Sequence, residues 1–152
     1  MKEYRSSLRS KKLIRRAMIE LLAEKDISKI TVVDIVQRAD LSRNTFYAHY
    51  QDVFAVLEEL EDEFLSGMNE YLDKAIQNRE FTEPLSLLQK FQRFVENNVE
   101  TNRLLLANQN AVAFCEKIKR VFIARVMENL STTEIKDTEG FLIFLECVTG
   151  GF

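Results

Sequence analysis

The chain has little proline, glycine, cysteine or histidine. Its 152 residues include one Pro, four Gly, two Cys and one His. So few Pro and Gly supply little of the turn material that an all-β fold needs, which favours long helices. Two Cys are too few for a disulfide framework, and the single His lies far along the chain from both. A Cys/His zinc site is therefore disfavoured, and we predict neither a metal site nor a cofactor.

Long apolar runs are also missing. The first residues, Met-Lys-Glu-Tyr-Arg-Ser-Ser, contain no apolar stretch, which predicts that there is no signal peptide. No stretch of about 18 uncharged apolar residues occurs, so we expect no membrane span. In the absence of an export signal, we expect a cytoplasmic protein whose cysteines, Cys115 and Cys147, are reduced.

The residue combinations that enzymes use for covalent or acid–base catalysis are not evident. The only histidine, His49, lies among residues that suggest binding, and no Ser or Cys has an evident base. We therefore predict no catalytic residues and no enzyme activity.

The charge of the chain is divided along its length. The net charge is −3, but residues 1–50 contain eleven Lys/Arg and only six Asp/Glu. Three quarters of the Asp/Glu residues lie beyond residue 50. A basic first third on an acidic remainder indicates that the N-terminal part meets a polyanion. Chance clustering of charges on a solvated surface is the alternative.

Apolar spacing predicts helices from one end of the chain to the other. An apolar stripe from Leu13 to Leu22 predicts a first helix that ends near Lys25. Thr31 is suited to cap a short second helix, with Asp34 in place of the usual Glu of a capping box. The later apolar stripes are helical as well, so the predicted fold class is all-α.

A third short helix follows a three-residue turn. Ser42 is a good N-cap for a helix from Arg43 to about Tyr50, and Asp52 then caps a long fourth helix. Phe46 and Tyr50 share one face at a spacing of four residues. A long helix, a short helix, a turn and another short helix form a helix-turn-helix, although a generic three-helix core gives the same pattern.

The third helix of such a module is the one that reads the major groove. Several of its polar side chains are suited to donate to bases or phosphates, and two capped helix starts offer backbone N–H groups to phosphate. The predicted DNA-binding residues are Thr31, Ser42, Arg43, Asn44, Thr45, Tyr47 and His49.

The segments from Ile30 to Ala39 and from Leu41 to Tyr50 resemble the DNA-binding domain of the TetR family of bacterial transcriptional regulators. The likeness covers roughly residues 8–57. It rests on a Thr at the start of the second helix and on a Ser-x-x-Thr-aromatic-Tyr-x-His-aromatic run. The resemblance implies a dimer that presents two third helices to a palindrome in double-stranded DNA.

Carried over to this sequence, the family pattern gives each residue a role. Thr31 is expected to contact phosphate through its hydroxyl or backbone N–H. Arg43, Asn44 and Thr45 are expected at base edges or the flanking backbone, and the side chains of Tyr47 and His49 at phosphates. The side chains of Phe46 and Tyr50 are expected to point inward.

Two positions depart from the family pattern. Asp40 stands in the turn where the family usually has Gly, and Asp tolerates the left-handed conformation better than most residues. Val53 stands where a Lys usually meets phosphate. We expect cations of the first helix, Lys11, Lys12, Arg15 and Arg16, to compensate for that missing contact.

We predict two domains, a helix-turn-helix domain over 1–52 and a helical regulatory and dimerisation domain over 53–152. The family usually senses a small molecule in the second domain, and the ligand shifts the spacing of the reading heads. The apolar effector itself is unknown, and ordinary helix core is the alternative for each lining residue. The candidate pocket residues are Met68, Phe91, Phe94, Phe114 and Phe122.

The last apolar helix resembles the start of the family's dimer interface, which uses two C-terminal helices from each subunit. The pattern stops at Gly150-Gly151-Phe152, so the second helix is absent from this sequence. We expect a C-terminal end that is incomplete, and a naturally shortened chain is the alternative. The candidate interface residues are Phe141, Phe144, Leu145 and Val148.

Together these observations predict a DNA-binding transcriptional regulator. We expect a homodimeric repressor of a palindromic operator that a small-molecule ligand releases. The alternative is a protein-interaction regulator on a helix-turn-helix scaffold with weakened or lost DNA binding. Asp40, Val53 and the acidic second domain motivate that alternative.

Overall fold

A computed structural model of the chain describes residues 2–78, residues 111–130 and seven helical residues between them, at 89, 93, 94, 96, 102, 104 and 105. The helices are α1 (Lys2–Glu24), α2 (Val32–Ala39), α3 (Arg43–Tyr47), α4 (Val53–Gln77) and α5 (Ala111–Leu130). A 3-10 turn, Ile27–Lys29, joins α1 to α2. The all-α prediction is confirmed, since these described residues contain helices and no strand.

The described residues form two compact units, and the division falls within α4, between Glu63 and Phe64. In the first unit, α1 contacts both α2 and α3, and α2 contacts α3. This is the arrangement that a helix-turn-helix requires. The sequence-based domains, 1–52 and 53–152, stay a prediction.

The core of the first unit consists of the apolar face of each helix. Each large side chain removed from water contributes about 1.5–3 kcal/mol, so these faces hold the short helices in place. The buried residues are Ile14, Ala17, Met18 and Leu21 in α1, Ile35, Val36 and Ala39 in α2, Phe46 and Tyr50 in and after α3, and Val53, Val56, Leu57 and Leu60 in α4.

Side chains cap the starts of the helices as the sequence predicts. The Thr31 hydroxyl accepts from the Asp34 N–H at 3.2 Å, and the Asp34 carboxylate accepts in return from the Thr31 N–H at 2.7 Å. This reciprocal pair is a capping box. The Asp52 carboxylate accepts from the Ala55 N–H at 2.8 Å and caps α4.

The turn between α2 and α3 depends on a left-handed residue. Asp40 has φ 53° and ψ 51°, and it is the one described non-glycine residue with positive φ. This conformation brings the Leu41 N–H to the Val36 carbonyl at 2.9 Å, which closes the C-terminus of α2. The expectation that Asp preserves this turn in place of Gly is therefore confirmed.

α3 is shorter than the sequence predicts. It ends at Tyr47, and Ala48 is its C-cap. The N–H groups of His49 and Tyr50 both bond to the Phe46 carbonyl at 2.9 Å. A tight turn thus replaces the last predicted helical residues, and it still places Tyr50 inward, where it is 5% exposed.

The second unit contains a cluster of aromatic rings. The Phe64 ring lies 5.4 Å from both Phe94 and Phe114, measured between ring centroids, and Tyr71 lies 5.7 Å from Phe94. These edge-to-face and tilted contacts are those that aromatic pairs prefer. Gly67 approaches the cluster so closely that an added Cβ would meet Phe94 Cε2 at 3.2 Å.

Four of the five predicted pocket residues fall within the described residues. Met68, Phe114 and Phe122 are buried, and Phe94 is half-buried. Their surroundings fit helix core as well as they fit a pocket wall, so the pocket stays a prediction. The fifth candidate, Phe91, lies outside the described residues, as do the predicted interface residues Phe141, Phe144, Leu145 and Val148.

The described helices contain neither a membrane span nor a metal-binding cluster. None of these helices is both long enough and apolar enough to cross a membrane. Among the described side chains, no group of three His, Cys, Asp or Glu residues is placed to hold a metal ion.

Candidate nucleic-acid interface

α3 separates outward polar side chains from an inward aromatic face. Arg43 and Asn44 are exposed, and the Tyr47 side chain is 58% exposed, which is high for so large an aromatic residue. Phe46 is fully buried, and its ring meets the Tyr47 ring edge-on at 5.5 Å between centroids. The buried ring thus fixes the helix while three donor side chains remain available to a partner.

Ser42 and Thr45 hold the start of α3. The Ser42 hydroxyl accepts from the Thr45 N–H at 3.1 Å, and the two hydroxyl oxygens lie 2.9 Å apart. Both side chains therefore already form hydrogen bonds at the start of α3. Their predicted contacts with DNA use the lone pairs and protons that remain.

Thr31 is similarly committed at the start of α2. Its N–H and its hydroxyl both donate to Asp34 Oδ2, each at 2.7 Å, and the Lys25 ammonium lies 2.9 Å from the same oxygen. The hydrogen bond from the Thr31 hydroxyl, followed by those from Lys25 and from the Thr31 N–H, lowers the pKa of Asp34 to about 2. Thr31 can donate its hydroxyl to a phosphate only after that hydroxyl turns away from Asp34.

His49 and Tyr50 follow α3 and point in different directions. His49 is half-buried, with its ring centroid 6.4 Å from that of Tyr50. The Tyr50 hydroxyl is buried near the Glu59 carboxylate, but it forms no hydrogen bond of good geometry with the described residues. Burial and then the nearby Glu59 carboxylate raise the pKa of this hydroxyl. Tyr50 is thus a structural residue, as the sequence predicts.

Three of the four α1 cations that the sequence proposes as compensation for Val53 already have acidic partners. Lys11 lies 2.8 Å from Glu59, and Arg15 pairs with both Glu59 and Glu63 of α4. The third, Arg16, lies 2.9 Å from Glu20 one turn along α1. Val53 itself is 7% exposed and belongs to the core.

Other cations of the first unit are exposed and make no ion pair with the described part of the chain. They are Arg9, Lys12, Lys29 and Arg43. Because free Lys and Arg side chains are what neutralises phosphate, these four are candidates for contacts with DNA phosphates.

Sequence reasoning missed the acidic partners of the basic residues. Glu59 and Glu63 lie more than forty residues from Lys11 and Arg15, and Arg38 of α2 reaches Glu24 of α1 at 2.8 Å. Only the i, i+4 pair of Arg16 with Glu20 was readable from spacing alone. For the pairs between α1 and α4, the available signal in the sequence was a basic α1 and an acidic start of α4.

Two comparisons with known proteins find likeness over part of the chain. Residues 14–60 match the family model described as "Bacterial regulatory proteins, tetR family". The chain is also 30% identical over 59 residues to the "Uncharacterized HTH-type transcriptional regulator YxbF" of Bacillus subtilis (strain 168), which is 39% of this chain and 16% of that relative's length. No solved structure matches the chain. The matched family segment contains every predicted DNA-binding residue.

Proposed function

We propose, from the premise that residues 14–60 form a helix-turn-helix DNA-binding domain of the TetR family of bacterial regulatory proteins, that this chain is a homodimeric repressor. It binds a palindromic operator in double-stranded DNA, and a small apolar ligand releases it. Its place of action is the cytoplasm. The family match of residues 14–60 supports the role of TetR-type transcriptional regulator, and this role, the oligomer, the operator and the ligand together are our proposal.

The observation that carries the proposal is the exposed polar face of α3. Arg43 and Asn44 lie in its first turn and Tyr47 in its last, all on a helix that Phe46 anchors from within. Arg43 forms bidentate hydrogen bonds with a guanine edge, and Asn44 reads the neighbouring base or its backbone. Tyr47 donates to a phosphate.

The remaining predicted residues position the helix on the duplex. Ser42 and Thr45 contact the flanking backbone from the first turn of α3. Thr31, at the start of α2, and His49, after α3, contact phosphates on either side. Such contacts set the register of the protein and carry no sequence information themselves.

Thermodynamic linkage explains how a ligand releases the DNA in this proposal. A ligand that prefers the spacing in which the two reading helices miss their half-sites must weaken DNA affinity by the same factor by which DNA weakens ligand affinity. The pocket candidates that the structure describes are Met68, Phe94, Phe114 and Phe122. Their apolar surfaces favour an apolar or aromatic ligand.

Selection from a random duplex pool tests the proposal. The full chain is incubated with the pool, the enriched sequence is read, and its affinity is titrated at about 50 and about 200 mM salt. A palindromic winner whose affinity falls about 10³-fold or more between these concentrations supports a dimer that neutralises several phosphates. No enrichment and no salt dependence refute it.

Two variants then separate base reading from phosphate contact. Arg43→Ala is expected to change the preferred sequence at one position of each half-site, at a cost of about 1–3 kcal/mol for the original base. Tyr47→Ala is expected to weaken binding to all sequences alike. Arg120→Ala, an exposed arginine of α5, is the matched control. Equal loss across all sequences for both interface variants contradicts the role given to Arg43.

A protein-interaction regulator is the second candidate, and the ion pairs favour it. Lys11, Arg15 and Arg16 are held by carboxylates, and Val53 is buried where a phosphate contact is usual. This candidate predicts no salt-dependent affinity for DNA and a stable complex with another protein. Titration of the selected duplex beside a mass measurement of the chain in solution distinguishes the two.

A further inference from the structure

We propose that Lys25 is a positioning residue of the DNA interface, which neutralises the Asp34 carboxylate at the start of α2 so that this end of the helix admits a phosphate. The inference rests on the proposed function, because it concerns the regulation of the same surface by charge. No comparison assigns a role to Lys25, which lies between α1 and the 3-10 turn.

Three hydrogen-bond donors converge on one oxygen of Asp34. The Thr31 N–H and hydroxyl each lie 2.7 Å from Oδ2, and the Lys25 Nζ lies 2.9 Å from the same atom. The capping box alone needs only the Thr31 donors. Lys25 therefore adds a charge where the hydrogen bonding of the helix end is already complete.

The Asp34 carboxylate caps α2, but its negative charge opposes DNA binding. A negative charge favours the N-terminus of a helix, but it repels a phosphate that approaches the same N–H groups. Lys25 cancels this charge at a distance of 2.9 Å, and both side chains are about 30% exposed, at 29% and 30%. The pair therefore stands at the surface that a phosphate would approach, and its net charge is close to zero.

The other charged side chains described nearby do not neutralise Asp34. Lys25 and Asp34 line an open surface cleft together with Leu21, Glu24, Gln37 and Arg38. Arg38 is engaged by Glu24 at 2.8 Å and faces Glu20 at 3.6 Å. Arg38, the cation of α2, is thus held by acids of α1, and among the described residues Lys25 is the one cation that pairs with Asp34.

The test uses the full chain and the duplex that the wild-type chain selects. The variants are Lys25→Met, Asp34→Asn and the double substitution, with Lys74→Met, an exposed lysine in the last turn of α4, as the matched control. Lys25→Gln serves as a second neutral variant should Lys25→Met fail to fold. Affinity is measured at several salt concentrations, and thermal unfolding is recorded for each variant.

We expect Lys25→Met to weaken binding about tenfold at low salt. This is the effect of the repulsion between the unpaired Asp34 carboxylate and a phosphate about 6 Å away at an intermediate dielectric constant. The slope of log affinity against log salt should become less negative by up to about 0.9. Adding Asp34→Asn to Lys25→Met should restore both values, because the pair is then neutral again. Lys74→Met should stay within twofold of the wild type.

Three outcomes overturn the inference. They are wild-type binding by Lys25→Met, a double variant as weak as Lys25→Met, and a shift in unfolding without a change in the salt slope. The second outcome makes Lys25 a direct phosphate contact, and the third makes it a purely structural ion pair. A wild-type chain that binds no duplex refutes the proposed function itself, which is a separate result.

Discussion

Asp40 offers a quantitative test of the turn that positions α3. Its φ of 53° costs an ordinary L-residue about 1–2 kcal/mol, and Asn and Asp less because their side chains bond locally. Its charge lies between the negative C-terminal end of α2 and the positive N-terminal end of α3, so the two dipole effects oppose each other. Backbone conformation should therefore decide the effect of a substitution.

The expected order of stability is Gly, then Asp and Asn together, then Ala. Asp40→Gly removes the steric cost of the left-handed conformation but raises the conformational entropy of the unfolded chain. The net result is an increase of about 0.5 kcal/mol in the free energy of unfolding. Asp40→Asn should change the free energy of unfolding by less than about 0.3 kcal/mol, since it keeps the left-handed tolerance. Asp40→Ala should lose about 1 kcal/mol, because Ala has no side chain to bond locally.

Urea unfolding of the full chain, followed by circular dichroism, measures this order. Glu58 is the matched control, because it is an exposed carboxylate inside α4, where Ala should exceed Gly by about 1 kcal/mol. The order of Gly and Ala should thus reverse between the two positions. An Asp40→Ala variant as stable as Asp40→Asn would refute the claim that the left-handed turn is strained.

Three further predictions follow from the charges of the first unit. Because the folded pKa of Asp34 is about 2 and its ordinary value is 3.8, the ionised carboxylate stabilises the fold above about pH 4, and this contribution is lost as the pH falls toward 2. Melting temperatures of the wild type and Asp34→Asn should converge over that range, and a constant difference contradicts the assignment. Tyr50→Phe removes a buried hydroxyl that forms no hydrogen bond of good geometry with the described residues and should be neutral or raise the free energy of unfolding by about 1 kcal/mol in urea titrations, whereas a clear loss would reveal a hidden hydrogen bond. Lys12→Met should make the salt slope of DNA binding less negative by about 0.9, and Lys11→Met should leave it unchanged because Arg15 still pairs with the Glu59 carboxylate that Lys11 contacts; equal slopes for both variants count against this difference.

Local features of the fold could be predicted because they depend on neighbours in sequence. The capping of α2 by Thr31 and Asp34, the start of α3 at Ser42 and the inward faces of Phe46 and Tyr50 follow from spacing alone. Each of these features involves residues within about four positions, a separation at which helix geometry fixes which side chains meet.

Features that depend on tertiary packing could not be predicted. The cations Lys11 and Arg15 read as available for phosphate, but their partners Glu59 and Glu63 come from a helix that starts forty residues later. The early end of α3 depends on how the turn after Tyr47 packs, which no local pattern encodes. For the candidate site, the sequence therefore predicted the exposure of Arg43, Asn44 and Tyr47. It did not predict that Thr45 and His49 are half-buried or which charges remain free.

The pairing of α1 with the acids of α4 has a consequence for how a regulator searches a genome. Non-specific sites outnumber an operator by about 10⁶ or more, and each attracts a protein through its phosphates alone. By occupying Lys11 and Arg15, Glu59 and Glu63 lower this sequence-independent attraction everywhere at once. They make no described ion pair with Arg43, so, under the proposed function, base contacts by Arg43 supply a larger share of the binding free energy at the operator.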